Sequence, residues 1–370
     1  MNIGVLTSSR ADFGIYLPLL KKIKEDSFFN LEIIAFGTHL SEKYGLTKTT
    51  ILDSGFTIKH ELETTPNEDT EEAISKSIGE TIIKFATFWA NNKNTYDLVL
   101  CLGDRYEMFA AVTAGIAFNI NFAHIHAGEK TLGAIDNIFR HSITFASKLH
   151  FTSTEEYKTR VLEMLDTEHK NVTNVGALSL DTLSDFVPLT REEFKNKWGV
   201  DFSIPTVLTT FHPETVANSL NKEYAEIISD IILKYTNSGV QFLITMPNAD
   251  TSGSIIRKIF EEKLGHNSNI FLLENLGTKG YFSAMKHCKF LLGNTSSGII
   301  EAASFQKYVI NVGDRQKGRA SGANIINADI SFEELSNVID KVMLLNNWEG
   351  NNIYFIGNAA ENIIYSIKNI

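Results

Sequence analysis

The sequence lacks a disulfide framework and any run long enough to cross a bilayer. Its 370 residues include only two cysteines, Cys101 and Cys288, too few and too far apart for a disulfide-stapled domain. The longest nearly apolar run extends from Met108 to Phe118, whereas a transmembrane helix needs about 20 apolar residues. The N-terminus begins directly with a strand-like pattern, without the basic region of a signal peptide. We therefore expect a cytoplasmic protein with free thiols and no membrane partner.

The sequence also lacks an excess of positive charge. It has 34 Lys+Arg against 44 Asp+Glu, which gives a formal net charge of −10. Nucleic-acid binding proteins need a basic stripe, and polybasic membrane-surface proteins need a cationic cluster, so the charge balance argues against both classes. The hydrophobic fraction of 43% is ordinary globular usage. The length is sufficient for two or three domains with their own cores.

Short β-branched runs alternate with helical stretches along most of the chain. Such βαβ repetition predicts parallel sheets with helices on both faces. The alternation weakens around Pro188 and Pro205. We therefore expect an α/β fold with two doubly wound domains: residues 1–182 together with a C-terminal helix in 355–370, and residues 183–354. The predicted strands are Ile3–Thr7, Leu31–Phe36, Thr57–Leu62, Leu98–Leu102, Asn121–His126 and Leu149–Thr152 in the first half, and Thr206–Thr210, Gln241–Thr245, Ile270–Leu273, Phe290–Leu292 and Tyr308–Val312 in the second.

Ligands of doubly wound sheets bind at the carboxyl ends of the strands, and a cleft between two sheets is a common place for a small-molecule site. The polar residues that follow the strands are therefore the candidates. No GxGxxG string and no P-loop lysine motif occurs among them, so the sequence gives no support for a dinucleotide cofactor or an NTPase.

In the first half, polar residues follow three predicted strands. Arg10 follows two serines at the start of a helix, an arrangement that suits an anion, and Gly103-Asp104-Arg105 follows the most apolar strand. His124 and His126 are spaced like a metal pair on one strand face, but no later ligands complete a metal site in an obvious way. The alternative is an acid/base cluster of His126, Glu129 and Asp136, with Arg140 one helical turn further on, because neighbouring carboxylates shift one another's pKa.

In the second half, the strand-end residues have the character of a phosphate site. His212 and Asn248 follow two successive strands, Gly293–Gly298 opens a helix that contains Glu301, and the loop with Arg315 carries three cations between glycines. Helix N-termini and hydroxyl groups favour phosphate, and Glu301 is within reach of a ribose diol. Each feature is weak alone, but together they predict a nucleoside-diphosphate site on the second domain.

The candidate residues fall in eight strings that follow one another along the chain: Ser9–Gly14, Leu102–Arg105, His124–Glu129, Arg140–Ser142, Thr152–Glu156, Phe211–Thr215, Gly293–Gly298 and Gly313–Arg319. As an ordered set, these strings resemble the hydrolysing UDP-N-acetylglucosamine 2-epimerases of bacterial sialic-acid synthesis. The resemblance implies a glycosyltransferase-B-like fold, with two Rossmann-like domains facing a cleft and a C-terminal helix that returns to the first domain. It also implies conversion of UDP-GlcNAc and water to N-acetylmannosamine and UDP, without a cofactor or metal, in a homo-oligomer.

The resemblance also implies roles for individual residues. The family's catalytic carboxylates fall on Asp104 and Asp136, while His126 stands where many members have a Glu and Glu129 matches a second Glu of that string. We expect Asp104, Glu129, Asp136 and His126 to form the acid/base set. His212 matches a site histidine near the diphosphate. The implied substrate contacts are Arg10 and Arg105 for diphosphate and sugar, Thr295, Ser296 and Arg315 for phosphate, Glu301 for ribose, Asn248 in a nucleotide-side loop and His39 on the sugar side.

Three alternatives stay open at this point. A close branch of the family performs the same reaction on UDP-2,4-diacetamido-2,4,6-trideoxyglucose for legionaminic acid, and only its sugar pocket differs. A glycosyltransferase of the same fold would need an acceptor groove. A non-enzymatic binder would hold UDP without turnover. A non-hydrolysing epimerase is less favoured by the Gly103-Asp104-Arg105 and Arg315–Arg319 strings.

Overall fold

The computed structural model describes residues 1–65, 70–132, 135–166, 171–214, 218–247, 253–274 and 276–369. It contains two separate parallel sheets, of seven and six strands, flanked by helices, so the predicted α/β class with two doubly wound domains is confirmed. The chain divides into a first unit of Met1–Glu129, Ile135–Ser184 and Ile356–Ile370, and a second unit of Lys130–Ala134 and Asp185–Phe355.

The first unit is built on a seven-stranded sheet. Its strands are β1 (Asn2–Thr7), β2 (Asn30–Phe36), β3 (Ile58–Leu62), β4 (Leu98–Leu102), β5 (Phe122–Ile125), β6 (Leu149–Thr152) and β7 (Val172–Asn174), and its order is β3-β2-β1-β4-β5-β6-β7 with every pair parallel. Its helices are α1 (Arg10–Glu25), α2 (Lys48–Asp53), α3 (Glu71–Asn92), α4 (Tyr106–Ile116), α5 (Asp136–Ala146) and α6 (Glu155–Leu165).

Both faces of this sheet are covered, which explains why its central strands are continuously apolar. Val5 and Leu100 pack with Leu19 and Leu20 of α1 on one face. Leu6, Val99 and Cys101 pack with Trp89 of α3 and Met108 of α4 on the other. All five residues of β4 are buried, so the strand is held tightly and its end presents Gly103 and Asp104 at a well-determined place.

A C-terminal helix, here α13 (Ala359–Lys368), packs on the first unit. Ala360, Ile363 and Ile367 belong to the same core as Leu19 and Leu20. The Asp181 carboxylate accepts hydrogen bonds from the Ala359 and Ala360 backbone N–H groups at 2.8 and 2.7 Å. A carboxylate at this end complements the helix dipole, so the helix is capped as well as packed.

The second unit is built on a six-stranded parallel sheet in the order β10-β9-β8-β11-β12-β13. The strands are β8 (Thr206–Thr210), β9 (Gln241–Thr245), β10 (Ile270–Leu273), β11 (Phe290–Gly293), β12 (Val309–Val312) and β13 (Ile325–Ala328). The helices are α7 (Arg191–Trp198), α8 (Asn221–Thr236), α9 (Gly253–Leu264), α10 (Gly277–His287), α11 (Ser296–Ile300) and α12 (Phe332–Leu344). Phe242, Ile244 and Leu292 pack there with Ile228 and Phe260 of α8 and α9.

The strand order of each sheet reverses between two central neighbours, β1 and β4 in the first unit and β8 and β11 in the second. Helices leave such a pair toward opposite faces, which opens a crevice at the carboxyl ends of the two strands. The strands end at Thr7, Leu102, Thr210 and Gly293. The loops after these four residues are therefore where each unit places its candidate site.

Two edge strands of the fold were not predicted from the sequence, β7 and β13, which have only three and four residues. Two short 3₁₀ turns, Gly37–Leu40 and Glu42–Tyr44, precede α2. Among the described residues, no helix is both long and apolar enough to span a membrane.

Candidate active site

The loop after β1 is organised by a buried carboxylate that the sequence analysis left without a role. Asp12 accepts hydrogen bonds from the backbone N–H groups of Ser8 and Ser9, each at 2.8 Å, and from the hydroxyl groups of Thr7 and Ser8 at 3.0 and 2.9 Å. Ser9 and Asp12 also form a reciprocal capping box at the start of α1. This Ser-x-x-Asp spacing was a readable signal, and it shapes the turn on which the exposed Arg10 sits.

His39, expected to contact the sugar, is fully buried behind this loop. Its Nε2 lies 2.9 Å from the Thr7 hydroxyl, and its Nδ1 lies 3.0 Å from the Thr47 hydroxyl. Burial lowers the pKa of His39, although the Asp12 charge opposes the effect. Both ring nitrogens are thus engaged within the protein, and the ring supports the loop after β1.

Arg105, at the end of β4, is held by a second buried carboxylate, Glu107. The Arg105 Nε and Nη2 atoms donate to the two Glu107 oxygens at 3.2 and 2.8 Å, a bidentate geometry that orients the guanidinium. The Glu107 side chain is 1% exposed, whereas that of Arg105 is 46% exposed. Glu107 therefore anchors the Arg105 guanidinium, which still faces outward. The pairing was not predicted from the sequence, where the two residues are only two positions apart.

Asp104 and Arg140 form an ion pair between the end of β4 and α5. The Arg140 Nη2 donates to Asp104 Oδ2, and its Nη1 donates to the Glu129 backbone carbonyl at 2.9 Å. Arg140 is 3% exposed and Asp104 is 28% exposed. The buried guanidinium therefore connects the two loops that carry Asp104 and Glu129, and the Asp104 carboxylate remains open to solvent.

Asp136, the first residue of α5, has the most informative electrostatics of this unit. Burial raises its pKa to about 6, and the nearby Asp104 carboxylate adds to the increase, while Arg140 and Arg105 oppose it. Two carboxyl groups close together resist ionising at the same time. Asp104 and Asp136, which the family resemblance placed in one acid/base set, thus interact electrostatically, and Asp136 can hold a proton close to neutral pH.

His124 and His126 do not form a metal pair. The His124 Nε2 lies 2.8 Å from the Gly103 carbonyl and its Nδ1 lies 3.1 Å from the Thr144 hydroxyl, and burial lowers its pKa to about 3. His126 lies beyond the end of β5 with a φ of 63°, so the strand alternation assumed for the pair stops before it. No group of three or more metal-binding side chains occurs in the part of the chain that the structure describes.

His126 and Glu129 are direct partners. The His126 Nδ1 lies 2.7 Å from Glu129 Oε1, and the Ser153 hydroxyl donates to the same oxygen at 2.8 Å. All three residues are buried. Two members of this group were predicted from the loop after β5, but Ser153, which follows β6 within the Thr152–Glu156 string, was given no role from the sequence.

In the second unit, Asn294 holds the loops after β8 and β11 together. Its side-chain Oδ1 accepts from the His212 N–H at 2.7 Å, its Nδ2 donates to the His212 carbonyl at 2.8 Å, and its own carbonyl accepts from Arg315 Nη1 and Gln316 Nε2 at 3.1 and 2.8 Å. Asn294 is fully buried. Asn294 therefore contacts His212 through its side chain and Arg315 through its backbone carbonyl, and both partners are residues predicted to contact the nucleotide.

His212 is held as a neutral ring. Burial lowers its pKa to about 3, and the Arg315 cation adds to the decrease. Its Nδ1 is buried without a hydrogen-bond partner among the described residues. A neutral imidazole can both donate and accept a hydrogen bond, so His212 is suited to bind a ligand and not to contribute a fixed positive charge.

The remaining predicted residues of this unit lie around the end of β11. Thr295 caps α11 by accepting from the Ser297 N–H, and Ser296 is exposed. Glu301 is buried at the end of this short helix, in electrostatic contact with the hydroxyl of Tyr281, whose pKa burial raises to about 12. Asn248 lies outside the described residues.

With these two clusters established, comparison with known proteins gives the family. The sequence profile of the family described as UDP-N-acetylglucosamine 2-epimerase matches residues 21–368 of this chain. The chain belongs to this family. The resemblance stated from its motifs is thereby confirmed.

Two curated relatives in this family match the chain over most of its length. The chain is 34% identical over 368 residues to the Escherichia coli polysialic acid biosynthesis protein P7, with 98% of this chain and 92% of the relative covered. It is 34% identical over 342 residues to the GDP/UDP-N,N'-diacetylbacillosamine 2-epimerase (hydrolyzing) of Campylobacter jejuni, with 90% and 87% covered. The first name refers to polysialic acid biosynthesis, and the second names GDP/UDP-N,N'-diacetylbacillosamine as a substrate.

Solved structures of the family share the fold. The UDP-GlcNAc 2-epimerase of Neisseria meningitidis bound to UDP-GlcNAc superimposes with a TM-score of 0.81 at 17% identity, with 100% of both chains covered. The Methanocaldococcus jannaschii enzyme in complex with UDP-GlcNAc and UDP gives a TM-score of 0.79 at 17% identity, also with 100% of both chains covered. At this identity the comparison establishes the glycosyltransferase-B-like fold alone.

Proposed function

We propose that this family member is a hydrolysing 2-epimerase that converts UDP-GlcNAc and water to N-acetylmannosamine and UDP. The observation that carries the proposal is the pair of unlike carboxyl groups in the first unit. Asp104 is held in an ion pair with Arg140, while the pKa of Asp136 is raised to about 6. One carboxylate and one protonated acid in one cluster are what acid/base chemistry near neutral pH requires.

The proposed reaction needs both a proton acceptor and a proton donor, because the configuration at C2 is inverted. The C2–H bond breaks and its proton goes to a base, while its electron pair forms the C1=C2 bond. The C1–O bond then breaks, and UDP leaves with the electron pair of the C1–O bond. Water adds to C1 of the resulting 2-acetamidoglucal, and a proton adds to C2 from the opposite face. We assign this second proton to Asp136, because it is the group that remains protonated nearest to neutral pH.

We further propose that the second unit binds the UDP part of the substrate. Arg315 and His212 are both positioned by Asn294, and Thr295 and Ser296 supply hydroxyl groups beside them. Glu301 is assigned to the ribose diol. In the first unit, Arg10 and Arg105 are assigned to the diphosphate and sugar because each guanidinium is exposed or half-exposed. We assign His39 a supporting role behind the loop after β1.

A second candidate substrate is a UDP-diacetamido-trideoxyhexose. It is favoured by the names of the C. jejuni relative and of a Legionella pneumophila relative, the UDP-N,N'-diacetylbacillosamine 2-epimerase (hydrolyzing), which is 30% identical over 366 residues with 99% of this chain and 95% of the relative covered. The acid/base cluster and the nucleotide residues are the same for both sugars. The difference lies in the sugar pocket alone.

Parallel assays with the two nucleotide sugars test this proposal. We expect the protein to release UDP and a free 2-epimeric sugar from UDP-GlcNAc, with a kcat/KM at least about tenfold higher than for the diacetamido sugar, a preference of about 1.4 kcal/mol. The products are identified by NMR. The reverse preference would move the assignment to the second substrate. Transfer of the sugar to an acceptor, or UDP binding without turnover, would contradict both.

A further inference from the structure

Glu129 is a catalytic candidate, yet its side chain faces the protein interior. It is 3% exposed. Its Oε1 accepts from the Ser153 hydroxyl at 2.8 Å and lies 2.7 Å from His126 Nδ1. An oxygen with two protein donors at these distances is already well solvated by the protein. The Glu129 carboxylate therefore positions His126 and Ser153.

The position of the proton on His126 follows from this contact. An ionised carboxylate oxygen only accepts, so the proton between the two residues belongs to His126 Nδ1. In a neutral imidazole, Nε2 then carries a lone pair. The Nε2 atom is buried and has no hydrogen-bond partner among the described residues. A buried acceptor without a partner is rare in proteins, so Nε2 is the ring atom that is left to accept a proton from a ligand.

The backbone around the pair is constrained in a way that maintains this orientation. His126 has a φ of 63° and Gly128 a φ of 75°. A Cβ atom at Gly128 would lie 2.7 Å from the Tyr157 carbonyl and 2.5 Å from Val161 Cγ2, so only glycine fits there. Arg140 donates to the Glu129 carbonyl at 2.9 Å. A left-handed non-glycine residue persists only where its surroundings determine it.

We propose that Ser153, Glu129 and His126 form a hydrogen-bonded relay for the reaction. Ser153 and Glu129 are positioning residues, and His126 Nε2 is the base that removes the C2 proton of the sugar. The C2–H bond breaks, the proton binds to Nε2, and the electron pair enters the C1=C2 bond as UDP departs. The resulting imidazolium is stabilised by Glu129, as a carboxylate does for a base in a hydrolase triad. The relay rests on the proposed function above.

The newly assigned member of the relay is Ser153, which was not among the residues expected to form the acid/base set. It is fully buried between β6 and α6. Removing its hydroxyl takes one donor from Glu129 Oε1, so the carboxylate is oriented less firmly while the imidazole contact remains. The expected signature is therefore a loss in kcat with little change in KM.

Kinetics of Ser153→Ala test this assignment. We expect kcat to fall by about 10- to 100-fold, since small misplacements of a catalytic group have effects of this size, with KM and UDP affinity within about twofold of the wild type. His126→Gln lowers kcat by about 10²- to 10⁴-fold. Ser229→Ala is the matched control, because Ser229 is also fully buried and its hydroxyl donates to the Ala225 carbonyl inside α8. An unchanged kcat in Ser153→Ala would overturn the relay. A decrease in kcat/KM that comes only from a higher KM would overturn it as well.

Proton NMR supplies a readout that does not depend on turnover. We expect a downfield imidazole N–H resonance from His126 in the wild type and in Ser229→Ala. It moves upfield in Glu129→Gln, because the acceptor loses its charge, and downfield in Ser153→Ala, because Oε1 then serves one fewer donor. Absence of the resonance, or no response to either variant, overturns the relay. A wild type that turns over no nucleotide sugar contradicts the proposed function, whereas the resonance still decides whether the relay exists.

Discussion

Replacing Asp104 with Asn abolishes turnover of UDP-GlcNAc while leaving UDP binding nearly intact. The substitution preserves the shape of the side chain and one acceptor for Arg140. It removes the negative charge that pairs with this buried guanidinium, and the same charge is one of the causes that raise the pKa of Asp136 in the wild type. We expect kcat to fall by about 10³-fold, because Asp136, the acid of the proposed reaction, then loses its proton more readily. The dissociation constant for UDP, measured by calorimetry, stays within about twofold.

Two variants make this result interpretable. Asp53→Asn, at an exposed position on α2, removes a charge from the same unit and leaves kcat unchanged. Glu301→Ala has the converse profile, because a buried carboxylate assigned to the ribose affects nucleotide binding, and UDP affinity falls by about tenfold or more. If Asp104→Asn instead weakens UDP binding as much as Glu301→Ala does, then Asp104 belongs to the nucleotide site.

Replacing Asp136 with Asn inactivates the enzyme and stabilises it at neutral pH. The folded-state pKa of Asp136 is about 6, above the ordinary aspartate value of 3.8. The folded protein therefore retains a proton that the unfolded chain releases, and its stability decreases as the pH rises from about 4 to 6. The variant lacks this penalty. Allowing for partial exposure of the side chain, we expect a gain of about 1–2 kcal/mol in the free energy of unfolding above pH 6.

Urea unfolding at several pH values measures this gain. The difference between Asp136→Asn and the wild type should be near zero below about pH 4, increase up to about pH 6 and stay constant above it. In the wild type, kcat/KM should decline above about pH 6, because the free enzyme then loses the proton that Asp136 supplies. A wild-type kcat/KM that increases through pH 6 would reassign Asp136 from acid to base. A variant less stable than the wild type at pH 7 would show that the ionised carboxylate is favourably paired.

The sequence predicted the strands best where they are buried on both faces. Leu98–Leu102 has the predicted bounds, because a continuous apolar run between turn residues allows few alternatives. The edge strands Val172–Asn174 and Ile325–Ala328 contain polar residues and are partly exposed. Their pairing depends on neighbouring strands that are distant in sequence, so local pattern carries little information about them.

For the candidate site, the sequence indicated which residues follow the strands but not which atoms they contact. The grouping of Asp104 with Asp136 came from the family resemblance. The roles of Glu107 and Ser153 did not, since a serine or a glutamate looks the same in sequence whether it is solvated or anchors a buried partner. Asn294 is a similar case, because its contacts to His212 join two loops 82 positions apart.

Turnover of UDP-GlcNAc in D₂O, followed by NMR, tests the central proposal most directly. Removal of the C2 proton and delivery of a new proton to the opposite face predict free N-acetylmannosamine with deuterium at C2, together with one UDP for each sugar released. A product that retains protium at C2 would contradict proton abstraction. A product that remains attached to UDP would contradict hydrolysis.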